Sequence, residues 1–272
     1  MNIKISVLLI LLCTELPLKA IGQPTQDHSI TIFVHGTYLM RKFFQYSHYR
    51  PLIYCPQGLS LAKKLPKYYH FHKMAKGCVN CDNESYSLDQ FYVFGWKSEH
   101  VNDHTRNKAA KELVKQLYEV AFEYYNVHGV IPKVRLMGYS HGGNVILNMA
   151  NHLPEYSDLE IEVWLFGTPI QQVNHNHIYS YCFSKIYSIF SKGDWVQICD
   201  PQGIKNKNAN FWSGRTFEEN APCIQVDFVV NGKTIAHDYY NQLFQFFPKI
   251  KTMIEHHSAD IETGTISVDF KL

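Results

Sequence analysis

The chain has 272 residues, of which 46% are hydrophobic, 18% charged and 14% aromatic, a balance that excludes a disordered tail, a collagen and a disulfide-dense mini-protein. Lysine and arginine less aspartate and glutamate is 26 − 24 = +2, too even for a protein whose work is neutralising nucleic acid phosphates. The length fits one α/β domain with a large core.

The chain opens with Lys4 and an apolar run from Ile5 to Cys13, and Ala20-Ile21-Gly22 supplies small residues. These features predict a signal peptide over 1–22, with 23–272 as the exported domain. The run is shorter than the roughly 20 residues that span a bilayer, and no later stretch reaches that length, so the processed protein is expected to be soluble. An oxidising destination, periplasmic or extracellular, would favour disulfides among Cys55, Cys78, Cys81, Cys182, Cys199 and Cys223.

From Ser29 to Val34 the chain is rich in β-branched residues and stops at His35-Gly36, which reads as a strand entering a glycine turn. A long insertion, about 38–90, follows as an expected cap over the fold. Between Tyr38 and Cys81 it carries eight Lys or Arg and no acid, so the rest of the chain sums to 18 − 24 = −6. Nine aromatics share that segment, among them Phe43, Phe44, Tyr46, Tyr49, Tyr68, Tyr69 and Phe71. The mixture suits a solvated, positively charged lid packed by its aromatics, and as an alternative a cap in peripheral contact with an anionic membrane surface. His70-x-His72 and Cys78-x-x-Cys81 could supply zinc ligands at a spacing unlike the common fingers, with disulfides as the competing fate of the thiols.

Phe91 to Gly95 reads as a strand, and apolar residues at 109, 110, 113, 114, 117 and 121 predict an amphipathic helix over about 105–125. Val134 to Gly138 is a strand, about 142–153 a helix ended by Pro154, and Ile161 to Phe166 and Lys185 to Phe190 two further strands. Cys223 to Val230 meets Asn231-Gly232 and then Lys233 to Ala236, the signature of a tight hairpin delivering His237. A helix over about 239–256, bent at Pro248, and an edge strand over about 265–272 close the chain. Alternating strands and helices predict a mainly parallel sheet covered on both faces, with functional loops at the carboxyl ends of its strands.

Gly138-Tyr139-Ser140-His141-Gly142 fits Gly-x-Ser-x-Gly and falls between a predicted strand and a predicted helix, where a sharp turn exposes the serine hydroxyl. A hydroxyl needs a base to take its proton and a carboxylate to orient that base. His237 and Asp194 follow in the expected order, each just beyond a strand, with Asp200 the rival acid. An oxyanion hole would use the backbone N–H of His141 and that of Thr37 or Tyr38.

Through Phe33-Val-His-Gly-Thr37, Gly138-Tyr-Ser-His-Gly-Gly143, Phe166-Gly-Thr-Pro169, Gly193-Asp194 and His237, the chain resembles the α/β-hydrolase superfamily, particularly its lipase and serine esterase branch. The resemblance spans about 29–257. Phe91-Tyr-Val-Phe-Gly-Trp96, followed by Arg106 and Ala109-Ala110, is also similar to that branch. It implies an α/β-hydrolase fold and a hydrolase of carboxylic esters with neither metal nor organic cofactor; together with the leader, the expectation is an exported esterase acting on lipids through an acyl-enzyme. Ser140, Asp194 and His237 match the family's triad positions. Two other functions fit the same parts: a non-catalytic protein binding lipid or a partner, and an acyltransferase or thioesterase.

Overall fold

The computed structural model describes residues 28–37, 50–99, 102–154, 157–202 and 210–272. The signal peptide reading, Tyr38 and Phe43, Phe44, Tyr46 and Tyr49 lie outside the described residues.

A mostly parallel sheet flanked by helices forms the centre, as the alternation of elements predicts. Its strands are β1 (Ser29–Val34), β2 (Gly58–Leu61), β3 (Phe91–Gly95), β4 (Lys133–Tyr139), β5 (Ile161–Phe166), β6 (Lys185–Phe190), β7 (Ile224–Val230), β8 (Lys233–Thr234) and β9 (Gly264–Phe270). They lie in the order β2-β3-β1-β4-β5-β6-β7-β8, with β9 on β7. Only β2 and β8 run antiparallel to their partners. The chain leaves β1 toward β3 on one side and returns to β4 on the other, so the strand order reverses at the β1–β4 junction. A crevice opens at such a reversal, at the carboxyl ends of the strands.

The helices are α1 (Arg50–Ile53), α2 (His70–Cys81), α3 (Asp103–His128), α4 (His141–Asn148), α5 (Tyr240–Leu243) and α6 (Phe247–His257). On one face of the sheet, Leu113 and Leu117 of α3 and Val145 and Ile146 of α4 bury against Ile32, Leu136 and Val163. On the other, Phe71, Met74 and Cys78 of α2 and Phe247 and Ile250 of α6 bury against Phe33, Met137 and Trp164. Successive strand residues thus feed opposite cores, the period of two that a doubly covered strand shows. α3 starts where Asn102 accepts a hydrogen bond from Thr105 N at 2.8 Å and stops at Gly129 in the left-handed region, so it extends past the expected bounds at both ends.

The described part of the long insertion joins the body of the fold. Its β2 pairs with β3 at the sheet's edge, and its α2 packs on the Phe33 face. Two helix expectations need correction. The segment after Ser140 is α-helical only to Asn148 and tightens to a 3₁₀ turn over Met149–Asn151. The last helix is not continuous: a 3₁₀ turn at Phe244–Phe246 separates α5 from α6, and Pro248 sits in the first turn of α6, where its missing N–H costs nothing.

The disulfide expectation is also corrected, because Cys55, Cys78, Cys81, Cys182, Cys199 and Cys223 are all free. Cys78 and Cys81 donate instead to the carbonyls of Phe244 and Gln245, at 3.1 and 3.5 Å, which ties α2 to the turn before α6. The zinc alternative does not assemble either. His72 Nδ1 donates to Ala62 O at 3.1 Å, and no three His, Cys, Asp or Glu among the described residues are grouped to hold a metal ion. No described helix is long and apolar enough to cross a membrane.

Candidate active site

Ser140 follows the last residue of β4 and caps α4 with φ 53° and ψ −131°, a conformation that side-chain-bearing residues rarely adopt. The turn is held from both sides: Ser140 N donates to Phe166 O at 2.8 Å, and Gly143 N to Ser140 O at 3.0 Å. The motif's second glycine is a packing necessity, since a Cβ on Gly142 would lie 2.1 Å from Val34 O. β1 and the start of α4 are therefore in backbone contact, which brings the loop after β1 over the serine.

The loop shows that contact directly. A Cβ on Gly36 would come within 2.8 Å of Ser140 Cβ. Trp96 Nε1 donates to His35 O at 2.9 Å, and His35 Nδ1 to Gly36 O at 2.7 Å. Fixing the Gly36 carbonyl also fixes Thr37 N–H, which points the opposite way across the same trans peptide. His141 is the first residue of α4, so its N–H has no acceptor within the helix. The Gly36 backbone, which precedes Thr37, thus packs against Ser140, and His141 follows Ser140 at the start of α4, while Tyr38 lies outside the described residues.

Asp194 and His237 meet because of the terminal hairpin. β7 overruns β6 by three residues, turns at Asn231 and Gly232, both at positive φ, and returns along β8. The return carries Ile235 N to Ser191 Oγ at 2.9 Å, just past the end of β6. His237 then donates from Nδ1 to Asp194 Oδ2 at 2.7 Å, and Asp194 Oδ1 accepts from Gln197 N at 3.0 Å. The carboxylate is fully buried and the imidazole nearly so, which strengthens the pair relative to water.

The imidazole is seated on the residue before the serine. Tyr139 stacks on His237 with ring centroids 5.0 Å apart, and its hydroxyl donates to His237 O at 3.0 Å. Gly167, at φ +55°, closes the other side: a Cβ there would meet Asp194 Oδ2 at 2.9 Å and His237 Nδ1 at 3.2 Å. Among the described residues Ser140 Oγ makes no hydrogen bond to His237; a nucleophile–base bond of this kind commonly tightens only around substrate.

Asp200, the rival acid, belongs to a second network. It faces His141 Nε2 at 3.3 Å and accepts from Gln171 Nε2. Arg106 donates to His141 Nδ1 at 3.2 Å and also to Gln171 Oε1. With Nδ1 accepting, the proton of His141 sits on Nε2 toward Asp200. Burial pushes the His141 pKa down, so the ring is neutral. Burial acts upward on Asp200, but hydrogen bonding to His141 and Gln171 and the Arg106 charge hold its carboxyl below the usual range.

Gln197, Gly167 and Arg106 carry structural parts that motif reading had not assigned. Gln197 was discoverable, as an N–H three residues after an aspartate is a common local partner. The Arg106–Gln171 contact joins residues 65 apart and left no local signal.

No family model matches the chain, and no curated protein does. Solved structures resemble it weakly. A lipase/esterase from Lactobacillus plantarum is 12% identical, covers 93% of this chain and 81% of its own, and superposes with a TM-score of 0.39. A lipase-esterase related protein from Clostridium acetobutylicum is 12% identical, covering 90% of this chain and 86% of its own, with a TM-score of 0.29.

Proposed function

We propose that this chain is a serine hydrolase of the α/β-hydrolase kind, cleaving carboxylic esters, lipids among them, through an acyl-enzyme. The observation that carries the reading is Ser140, held at φ 53° on the β4–α4 turn beside an Asp194–His237 pair at 2.7 Å. In this mechanism Ser140 Oγ attacks the ester carbonyl carbon while His237 Nε2 takes its proton, and Asp194 stabilises the imidazolium without accepting a proton itself. The carbonyl oxygen gathers negative charge against the N–H of His141 and that of Thr37 or Tyr38. His237 returns the proton to the departing alcohol, and water then releases the acid by the same steps reversed. None of these steps calls for a cofactor.

Export after cleavage at about residue 22 is part of the proposal, resting on the leader's composition. So is peripheral contact of 38–81 with an anionic membrane surface. Tyr69 and Phe71 of that segment are buried, which leaves its lysines and the exposed Leu52 and Tyr68 for such a contact.

A fluorophosphonate probe and a chain-length series of p-nitrophenyl esters test the reading. The folded wild type is expected to form an adduct on Ser140, and Ser140→Ala and His237→Ala to lose about 10³-fold or more in kcat. Full turnover by Ser140→Ala would sink the assignment. Folded wild type that forms no adduct and turns over no ester would make the fold a binding protein.

A further inference from the structure

The loop that follows Asp194 is built inside out. Its inward side chains are polar: Gln197 is buried and donates to Thr168 O at 2.8 Å, and buried Ser213 donates to Gln197 O at 2.7 Å. Its outward side chains are apolar: Trp195 is 69% exposed, Val196 57%, Phe211 51% and Trp212 52%. Single exposed apolar residues are ordinary, but two tryptophans, a phenylalanine and a valine turned out of one loop reverse the arrangement that water favours.

These side chains stand on a braced frame. Ser213 N donates to Asp200 O at 3.1 Å, and Gln202 Nε2 to Trp212 O at 2.7 Å, so the two limbs of the loop are laced together. The Phe211 and Trp212 rings meet edge to face with centroids 4.5 Å apart. Arg215 donates to the backbone carbonyl Asp194 O at 3.0 Å, which anchors the second limb beside the site.

Charge indicates what covers the patch. The loop's acids face inward, Asp194 to His237 and Asp200 to His141 and Gln171. In sequence, the stretch from Gln202 to Phe217 holds Lys205 and Lys207 and no acid, besides Arg215, which turns inward to the carbonyls of Asp194 and Lys192. Glu218, the next acid, faces His175 at 3.6 Å. Tryptophan, with an apolar body and one N–H, favours the water–lipid boundary, and cations favour an anionic leaflet.

We propose that this loop is a membrane anchor, with Trp195, Val196, Phe211 and Trp212 entering the interface of a bilayer that carries anionic lipid. The anchor sits at the Asp194 end of the crevice, so docking presents the site to molecules lying in the surface. The proposal goes beyond the hydrolase reading and does not rest on it, because docking requires no turnover.

Co-sedimentation of the full chain with phosphatidylcholine vesicles, with and without phosphatidylglycerol, tests it alongside the tryptophan emission. The wild type is expected to bind the anionic vesicles with a blue shift, and Trp195→Ser/Trp212→Ser to bind about tenfold or more weakly. Tyr181→Ser, altering a fully exposed aromatic just before β6 at the far end of the sheet, is expected to bind like wild type. Ser140→Ala should also bind fully, which separates failure of the anchor from failure of the hydrolase reading. Should the double variant not fold, each single variant is expected to lose part of the binding. Folded wild type that ignores anionic vesicles would overturn the proposal, as would undiminished binding by the tryptophan variants. Self-association abolished by the same substitutions, without vesicle binding, would assign the patch to a protein interface and overturn it equally.

Discussion

At Ser140 a side-chain-bearing residue occupies a backbone conformation that costs on the order of 1–3 kcal/mol, and the surrounding turn maintains it. The Gly-x-Ser-x-Gly spacing made this legible, since only small neighbours let the turn close. Gly167 was legible only as part of a resemblance; its reason is spatial, because its α-carbon abuts both Asp194 and His237. Adding a methyl there has a definite expected effect. In Gly167→Ala, displacement of the pair should lower kcat/KM for a soluble ester by about 10- to 100-fold. The strain at φ +55° should cost about 1–2 kcal/mol in urea unfolding. A variant destabilised to that extent but with unchanged kcat/KM would mean that the Asp194–His237 pair takes no part in the reaction.

Between elements, the His141–Asp200–Arg106–Gln171 network joins the start of α4 to α3 and to two loops. Its charges make stability depend on pH in one direction. His141 is lowered from 6.5 in the fold, so below that value the unfolded chain takes up a proton that the folded chain refuses, and stability falls as pH falls. Asp200 is lowered from 3.8, so its contribution is complete above that value and is lost as pH drops through the folded one. His141→Gln is therefore expected to flatten the decline in unfolding midpoint between pH 7 and pH 5 relative to wild type, measured by urea denaturation at each pH. An unchanged slope would contradict a neutral His141. The sequence named His141 for its backbone and Asp200 as a rival acid; their partnership arises only when α4 folds against the loop after β6.

For the whole molecule, the reversal of strand order at β1–β4 gathers the ends of β1, β4, β5 and β6 at one rim, and the β7–β8 hairpin folds His237 back to it. The insertion expected as a cap contributes an edge strand and a helix. Phe71, Met74, Ala75 and Cys78 recur at helical spacing on that helix, an amphipathic signal interleaved with the segment's lysines and histidines. The thiols give a test of the assembled fold. Burial pushes the Cys78 thiol well up and the Cys223 thiol to about 12, while Cys199 is exposed. Alkylation of the native protein should modify Cys199 quickly and spare Cys55, Cys78 and Cys223. After unfolding without reductant, mass spectrometry should find Cys55, Cys78, Cys81, Cys182, Cys199 and Cys223 all modified. An unmodified Cys78 or Cys81 would reveal a disulfide and a different packing of α2.

Local chemistry alone determined the strands β1 and β3 to β7, the long helix α3, the Asn-Gly hairpin and the strained serine turn, but not the edge strand β2. Each depends on residues within a few positions of one another. Tertiary structure decided which acid serves which histidine, the fate of the cysteines and the outward turn of Trp195 and Trp212. Those outcomes depend on neighbours distant in the chain, such as Asp194 and His237, 43 residues apart. A hydrogen bond between such groups exists only once the sheet has closed the loop between them, and no local preference encodes it.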